Sequence, residues 1–473
     1  MFCVAQNEVD ALRYSQNFFS GTARSVSMGG ALGALGGDFS TLSTNPAGLG
    51  IYRSSEFMFT PTFSYNTTSS TFKDGTPLDD YKFRMDFSNI GFVGTHLSGR
   101  EDGWVSTNFA IGYNRIADFN RYVKIDGVNN SSSMTDYFAM LANNTKFSSL
   151  SDVGFDVSSA WDSYLIDPAN ADSTMYKSAL SKYGETQTKD INTKGGMGEY
   201  VFSLAGNYSN KLFIGGTLGI QSVRYIEHSD YTERDPKDSI PAFTSFDFKN
   251  DLKTTGAGFN FKLGIIFKPA DWIRIGGAIH TPTFYNLHDE YSSSLKSTFS
   301  DNLHGTGEEY KSPVSTYDYQ LTSPFRAIGD LGFVIGKVAL IGIEYEYLDY
   351  SVARLRADDY PFRDENNTIQ TAYTATGNIK VGAEFKNGPL SIRAGYGLYG
   401  SPFRSGQANE NSTRTSYNAG FGIRNDDFFF DLAFSYNIQN EKYFLYDPSI
   451  VANPAVNIKT SYISALATFG FKF

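Results

Sequence analysis

The ten residues FFFDLAFSYN, from Phe428 to Asn437, separate into two faces when every second residue is taken. One face carries Phe428, Phe430, Leu432, Phe434 and Tyr436, and the other carries Phe429, Asp431, Ala433, Ser435 and Asn437. Successive side chains of a β-strand point to opposite faces, so one face of this strand would be apolar and the other mixed. A run of about ten alternating residues is also the length of a tilted strand that crosses a membrane. The stretch therefore predicts a membrane-spanning strand.

The same alternation recurs from about residue 55 to the C-terminus, interrupted by Gly, Asn, Asp, Ser or Pro. It predicts an all-β fold, a single transmembrane antiparallel β-barrel of about fourteen strands over residues 55–473. The expected strands are residues 55–68, 84–98, 103–118, 196–208, 211–228, 250–268, 271–288, 316–335, 337–352, 371–386, 389–400, 411–425, 427–442 and 458–473. The last strand ends on Phe473, which resembles the recognition signal of the outer-membrane barrel-assembly machinery.

Composition agrees with a barrel in lipid. Of the 473 residues, 16% are aromatic, yet the mean hydropathy is negative, at -0.31. Strands with an apolar outer face, a polar lumen face and aromatic girdles combine these two properties. No apolar run reaches the roughly eighteen residues that a transmembrane helix needs. The net charge of -10 argues against a nucleic-acid partner.

The links between strands alternate in length, and this predicts an orientation. Tight links are expected to be periplasmic turns and long polar links extracellular loops. The tight links are Ser209-Asn210, Pro269-Ala270, Gly336-Lys337, Asn387-Gly388 and Asp426-Asp427. The longest link, residues 119–195, is expected to be an extracellular loop with short helices at residues 134–143, 157–165 and 174–183.

The N-terminus does not alternate. Residues 1–5 look like the remnant of a signal peptide, with a lipid-anchored Cys3 as the alternative. Residues 6–54 are rich in Gly, Ala and Ser, which suits a compact hatch, or plug, inside the barrel. A phosphate-binding Gly-rich loop would follow a strand and open a helix, and nothing before this segment reads as a strand.

Two stretches resemble a known family. The pattern ARSVSMGGA at residues 23–31, followed by NPAGL at residues 45–49, resembles the N-terminal hatch of the FadL/TodX outer-membrane transport proteins. The stretch from Ser323 to Ser351 resembles a hairpin in the branch often labelled "hemin receptor". The resemblance implies a lumenal hatch, localisation in the outer membrane of a Gram-negative bacterium, and uptake of long-chain fatty acids or aromatic hydrocarbons. The family's fold also occurs in secretion-system shuttle proteins, so a barrel that docks protein partners stays open as the alternative.

The resemblance also suggests the gate. It makes Asn45, Pro46, Ala47 and Gly48 candidate hatch residues. In the family a kink in the third strand opens the wall sideways, and the matching strand carries Gly112 and Asn114 on its inferred lumen side. Alternatively, Gly112 only makes room for the hatch.

Ligand contacts are expected in two places. The apolar faces of the helices in loop 119–195 could capture a hydrophobic solute, or could pack against each other; the candidates are Phe138, Met140, Leu141, Trp161, Tyr164 and Leu165. The alternation along the strands also predicts that ten charged side chains face the lumen. An Arg or Lys side chain that faced lipid at the bilayer midplane would cost about 2–4 kcal/mol. These are expected mainly to pair and hold the hatch, with Arg326 and Arg393 the candidates for meeting a carboxylate ligand; the ten are Arg274, Arg326, Asp330, Glu344, Glu346, Lys380, Glu384, Arg393, Arg424 and Asp431.

Catalysis, metals and cofactors are not expected. The five histidines lie in no motif for nucleophilic catalysis, zinc or haem. The expected partners are a hydrophobic small molecule, outer-membrane lipid with lipopolysaccharide, and the barrel-assembly machinery. A monomer is expected.

Overall fold

The computed structural model describes residues 7–18, 20–73, 75–169, 174–301 and 307–473, so the expected signal-peptide remnant at residues 1–5 lies outside the described residues. Strands form most of this part of the chain. They are β1 Glu56–Phe72, β2 Leu78–Leu97, β3 Trp104–Asp118, β4 Arg121–Val128, β5 Ile166–Pro168, β6 Tyr176–Ser178, β7 Thr186–Tyr208, β8 Leu212–Arg234, β9 Phe243–Ala270, β10 Ile273–His280, β11 Phe284–Phe299, β12 Glu309–Lys311, β13 Ser315–Thr322, β14 Arg326–Ile335, β15 Ala339–Asp349, β16 Arg354–Arg356, β17 Ala375–Asn387, β18 Leu390–Tyr399, β19 Arg414–Arg424, β20 Phe428–Tyr443 and β21 Val456–Lys472.

Helices are few and short. The α-helices are α1 Glu8–Ser15, α2 Ala23–Ser27, α3 Met134–Ala142, α4 Leu150–Val153, α5 Phe155–Asp162 and α6 Arg363–Ala372. The described residues also form four 3-10 helices, at Phe39–Ser43, Pro46–Ile51, Phe147–Ser149 and Tyr350–Val352. Within the described ranges, no helix combines the length and apolar character needed to cross a membrane.

The sheet closes on itself. β1 pairs antiparallel with β2 on one side and with β21 on the other, and every other wall strand pairs with its neighbour in sequence. Three wall strands are interrupted. One consists of β3 and β4, the second of β10 and β11, and the third of β13 and β14. Counted in this way the barrel has fourteen wall strands, as the sequence predicted.

Several predicted boundaries were wrong. The strand expected at residues 271–288 breaks before Phe284 and continues to Phe299, and the one expected at 316–335 breaks between Thr322 and Arg326. Both breaks contain a proline, Pro282 or Pro324, which cannot donate a ladder hydrogen bond. The broken strands stay joined, because Ser323 N–H donates to the carbonyl of Thr283 at 3.0 Å.

The turns and the long loop also differ from the prediction. Pro269 and Ala270 end β9, so the turn lies at Asp271 and Trp272 instead. The predicted loop at residues 119–195 includes β4 and the first half of β7. Its expected third helix, at residues 174–183, is wrong, because Tyr176–Ser178 is a strand that pairs with β5.

The outer surface of the wall is apolar. Side chains that alternate with the lumen-facing ones are exposed, for example Phe63, Phe83, Phe261, Ile392 and Phe434. Aromatic rings collect near the short-turn end, where Trp104 contacts Tyr208 and Trp272 stacks on Phe333. An apolar belt bounded by aromatic residues is the surface of a strand barrel that lies in lipid, with its short turns on the periplasmic side.

Candidate functional site

The N-terminal segment, residues 7–18 and 20–52, lies against the lumen side of the wall. From Gly21 to Gly50 nearly every residue is buried. Its contacts are polar and reach strands far apart in the sequence. Arg24 Nε donates to Glu384 at 3.1 Å, Ser43 Oγ donates to Glu199 at 2.7 Å, and His280 Nε2 lies 2.6 Å from the carbonyl of Thr44. Such contacts tie this segment to several wall strands at once.

The Asn-Pro-Ala-Gly element, residues 45–48, is buried throughout. Asn45 Oδ1 accepts from Ala47 N–H at 3.2 Å and so caps the 3-10 helix Pro46–Ile51. Asn45 Nδ2 donates to Asp330 on β14 at 2.9 Å. The wall offers glycine opposite it, since a Cβ on Gly264 would lie 2.1 Å from Asn45 Oδ1. The element therefore needs both the Asn45 side chain and a small residue in the wall.

Gly112 lies beneath the ring of Phe39. It pairs with Gly91 across β2 and β3, and a Cβ on either residue would lie within 2.6 Å of the Phe39 ring. Asn114 accepts from Asn89 Nδ2 at 2.8 Å and donates to Ser43 at 2.9 Å. Of the two sequence interpretations of Gly112, this geometry favours room for the N-terminal segment.

Most of the charged side chains that were predicted to face the lumen form ion pairs. Arg326 donates to Glu346 at 2.7 Å and also to the carbonyl of Ser15. Arg393 bonds Glu384, and its Nη1 lies 2.6 Å from Asp431. The two arginines singled out for a carboxylate ligand are thus buried and already neutralised within the protein. Arg326 and Arg393 therefore form ion pairs, which is what the sequence predicted for most of the lumen charges.

Above the Asn-Pro-Ala-Gly element, toward the long loops, α1 fills an aromatic part of the lumen. Its Leu12 and Tyr14 belong to one apolar cluster with Tyr225, Tyr285 and Leu321 of the wall. Asp10 of α1 is buried beside Arg13, and burial raises its pKa to about 7 although the guanidinium opposes this shift. A helix of the chain itself thus occupies this apolar part of the lumen.

The long loops build a cap over the barrel mouth, formed by residues 129–169 and 174–185 with α3, α4 and α5. Its apolar core joins wall residues of β8, β9 and β11. Of the six candidate capture residues, Phe138 and Leu165 lie in this core, Leu141 and Trp161 pack against it, and Met140 and Tyr164 are exposed. Four of the six thus lie in or against the apolar core of the cap, and two are exposed.

A gap in the wall separates residues 78–88 of β2 from the end of β3 and from β4. β2 pairs with β3 only over Asn89–Leu97, so residues 78–88 have no strand partner on this side. β4 pairs with β7, while its other edge faces lumen-side groups of β1 instead of β2. The side chains of Asn66, Thr68 and Ser70 donate to the carbonyls of Asn120, Tyr122 and Lys124. β4 thus lies inside the wall, behind β2, and we call the space between them the slot.

Two further contacts hold the slot. Phe18 and Ser20 cover the free edge of β3, since Phe18 N–H donates to the Ile116 carbonyl at 2.7 Å and Ser20 N–H to that of Arg115 at 3.2 Å. Lys82 reaches across from β2 and donates to Asn192 and to the Thr193 carbonyl, both at 2.6 Å. The N-terminal segment and the break in the wall are therefore joined by hydrogen bonds.

Sequence reasoning missed several parts of this arrangement. It placed β4 in a loop, and it did not single out Phe39, Lys82 or the buried Glu199–Lys262 pair. The alternation of residues 121–128, RYVKIDGV, was a usable signal for β4. The partner of Phe39 was not readable, because nothing local to residue 39 specifies the glycines it covers.

A closed wall of fourteen strands, an apolar outer belt and short turns at one end define an outer-membrane β-barrel. No protein-family model matches this sequence, and no curated protein matches it.

Solved structures match along nearly the whole chain. The crystal structure of a Pseudomonas aeruginosa FadL homologue is 12% identical, with 96% of this chain and 99% of that chain covered and a TM-score of 0.56. The toluene transporter TodX of P. putida is 11% identical, with 96% and 98% covered and a TM-score of 0.53. The CymD monoaromatic hydrocarbon channel is 12% identical, with 96% and 98% covered and a TM-score of 0.50. The chain thus has the fold of the FadL-type outer-membrane barrels.

Proposed function

We propose that this protein is an outer-membrane channel for the uptake of hydrophobic small molecules, with long-chain fatty acids and aromatic hydrocarbons as the substrate class. The observation that carries the proposal is the slot, where the wall is left without backbone pairing. An unpaired strand edge in hydrocarbon is costly, so a barrel without a use for it would close. A lateral slot gives an apolar solute an exit that avoids the charged lumen below. The barrel fold, shared with transporters of hydrocarbons, supports the same function.

The route would begin at the cap and end at the slot. The exposed Met140 and Tyr164 offer first contacts outside, and the aromatic part of the lumen now filled by α1 offers the next. The N-terminal segment acts as the hatch: α1 must leave this site before a solute enters. Because residues 18 and 20 bond the free edge of β3, movement of α1 is coupled to the slot.

The proposal is tested by uptake into cells of a Gram-negative host that lacks its own channel of this kind. Expression of the protein should raise the uptake rate of toluene or laurate. Removal of residues 6–42 should leave a foldable barrel and raise ion conductance in planar bilayers, because wall hydrogen bonds close without the segment. Uptake equal to that of cells without the protein would reject the channel. It would leave the protein-docking barrel as the remaining interpretation.

A further inference from the structure

A chamber of about 100 Å³ lies between the N-terminal segment and the inner face of the wall. It extends from the slot, at Asp86, Arg115 and Asp118, to Tyr399 on the opposite side. At roughly 10–15 Å³ for each water, this space holds about seven to ten waters. That is room for one small ligand of monosaccharide size.

Hydroxyl and amide groups dominate one wall of the chamber. They are Ser64, Ser416, Asn418, Ser435, Asn437 and Ser464. They bond one another in three pairs, as Asn418 Nδ2 does with Ser416 at 2.8 Å and Asn437 Nδ2 with Ser435 at 2.9 Å, but each hydroxyl or amide has further donor or acceptor capacity. An alkyl chain placed here would strip these groups of water without replacing their hydrogen bonds. The lining favours a ligand that carries hydroxyl groups.

Arg414 supplies the chamber with an unneutralised positive charge. Its guanidinium lies between the rings of Phe18 and Tyr462, 4.1 and 4.6 Å from their centroids. The Nε atom is buried without a hydrogen-bond partner, and no ion pair links Arg414 to a carboxylate of the described residues. Two aromatic faces hold the side chain in place without satisfying its donors.

The other charges around the chamber balance one another. Arg84 and Arg115 share Asp86, at 2.9 and 3.4 Å, and Arg84 also reaches Asp118. Lys380 bonds Glu344 at 2.7 Å. Only the charge of Arg414 is left over among these groups. A planar guanidinium with free donors matches the two oxygens of a carboxylate.

We propose that this chamber binds a small hydroxylated carboxylate of the sugar-acid class, with Arg414 holding the carboxylate and the Ser and Asn side chains holding the hydroxyls. The site goes beyond the proposed function, because its ligand is polar and would reach the chamber through the lumen or the slot independently of an apolar solute.

The test is calorimetric titration of the full chain in detergent with glucuronate, glucose and laurate. Glucuronate should bind saturably, and glucose at least tenfold more weakly because it lacks the carboxylate. Arg414→Gln should weaken glucuronate binding at least tenfold, whereas the matched control Arg53→Gln, at an exposed arginine near the short turns, should bind as the wild type does. Folding is checked by the gel shift between unheated and boiled samples.

Three results would overturn the proposal: no saturable glucuronate binding, unchanged binding by Arg414→Gln, or laurate that competes with glucuronate and also depends on Arg414. If Arg414→Gln fails to fold, Ser435→Val removes a hydroxyl and keeps the charge. It should weaken glucuronate binding several-fold, and unchanged binding would count against the site. Because toluene has no carboxylate, its uptake reports on the proposed channel alone, so the two proposals fail separately.

Discussion

Asn45 Nδ2 donates a hydrogen bond to Asp330 Oδ2 at 2.9 Å, across 285 residues of sequence. Both side chains are buried. The same Asn45 caps the following 3-10 helix through its Oδ1. One amide therefore shapes the N-terminal segment locally and ties it to the wall.

Asn45→Asp separates these two roles. The new carboxyl group can still accept from Ala47 N–H, but the amide donor to Asp330 is lost and two carboxyl groups face each other. We expect the free energy of unfolding to fall by about 2 kcal/mol, typical of a buried acceptor left without its hydrogen bond, and ion conductance in planar bilayers to rise. Asn411→Asp, at an exposed loop asparagine, is the control. Wild-type conductance of the Asn45 variant would mean that this bond does not hold the segment.

The contact of Phe39 with Gly91 and Gly112 predicts that shortening Phe39 can restore stability lost when a glycine is replaced. Gly91→Ala should displace the N-terminal segment, since the nearest atoms to its Cβ, at 2.4–2.6 Å, all belong to the Phe39 ring. Adding Phe39→Ala should restore part of the lost stability. The same rescue should fail for Gly112→Ala, because its Cβ would also lie 2.3 Å from the backbone oxygen of Ile90. Urea unfolding of the four variants measures this, and equal rescue at both positions would contradict the geometry.

The side chains that cross the slot should limit the uptake of solutes through it. Lys82 bonds the Thr193 carbonyl, and Arg84 Nη1 bonds that of Gly195 at 3.2 Å. The double variant Lys82→Met, Arg84→Met keeps much of the side-chain volume and removes these tethers. We expect uptake of toluene to rise several-fold in cells with equal amounts of folded barrel. Lys337→Met, in an exposed short turn, is the control. Unchanged uptake in the double variant would remove the slot from the route.

The cap should weaken as the pH rises. Glu185 is buried at the base of the cap, and burial together with the nearby Glu233 carboxylate raises its pKa to about 8 from an ordinary 4.5. Gln187 Nε2 bridges the two carboxylates, at 3.3 and 3.0 Å. Between about pH 4.5 and 8 the folded cap therefore holds a proton that the unfolded cap has released, so its stability falls as the pH rises through this window.

Hydrogen exchange of the α3 amides, corrected for intrinsic rates, measures this effect. Protection in the wild type should decrease from pH 5 to pH 8, whereas Glu185→Gln should decrease less, because glutamine has no proton to lose and only the buried Glu233 carboxyl of this pair remains. Glu308→Gln, at an exposed site, should behave as the wild type does. An equal pH dependence in the wild type and Glu185→Gln would assign the effect to other groups.

Much of the wall was readable from local sequence. Alternation at period two places Phe430 and Phe434 on one face of β20 and Asp431 and Ser435 on the other, and the barrel keeps those faces. The lumen charges followed from the same parity, since lipid excludes them. Boundaries failed where proline breaks a strand, and in the long loop, where short apolar runs fit helix and strand alike. The third predicted helix is the clearest case.

The sequence by itself determined the strand count, the inward and outward faces, and the small-residue character of the N-terminal segment, because each follows from side chains within a few residues of one another. Only the tertiary structure decided that Asn45 meets Asp330, that Phe39 covers Gly91 and Gly112, and that β4 lies behind β2. These contacts join residues far apart in sequence, and closure of the barrel alone brings them together. Arg414 also depends on the tertiary structure. Charges of both signs surround it in the lumen, but the nearby carboxylates are paired with Arg84, Arg115 and Lys380, so the guanidinium of Arg414 has no carboxylate partner among the described residues.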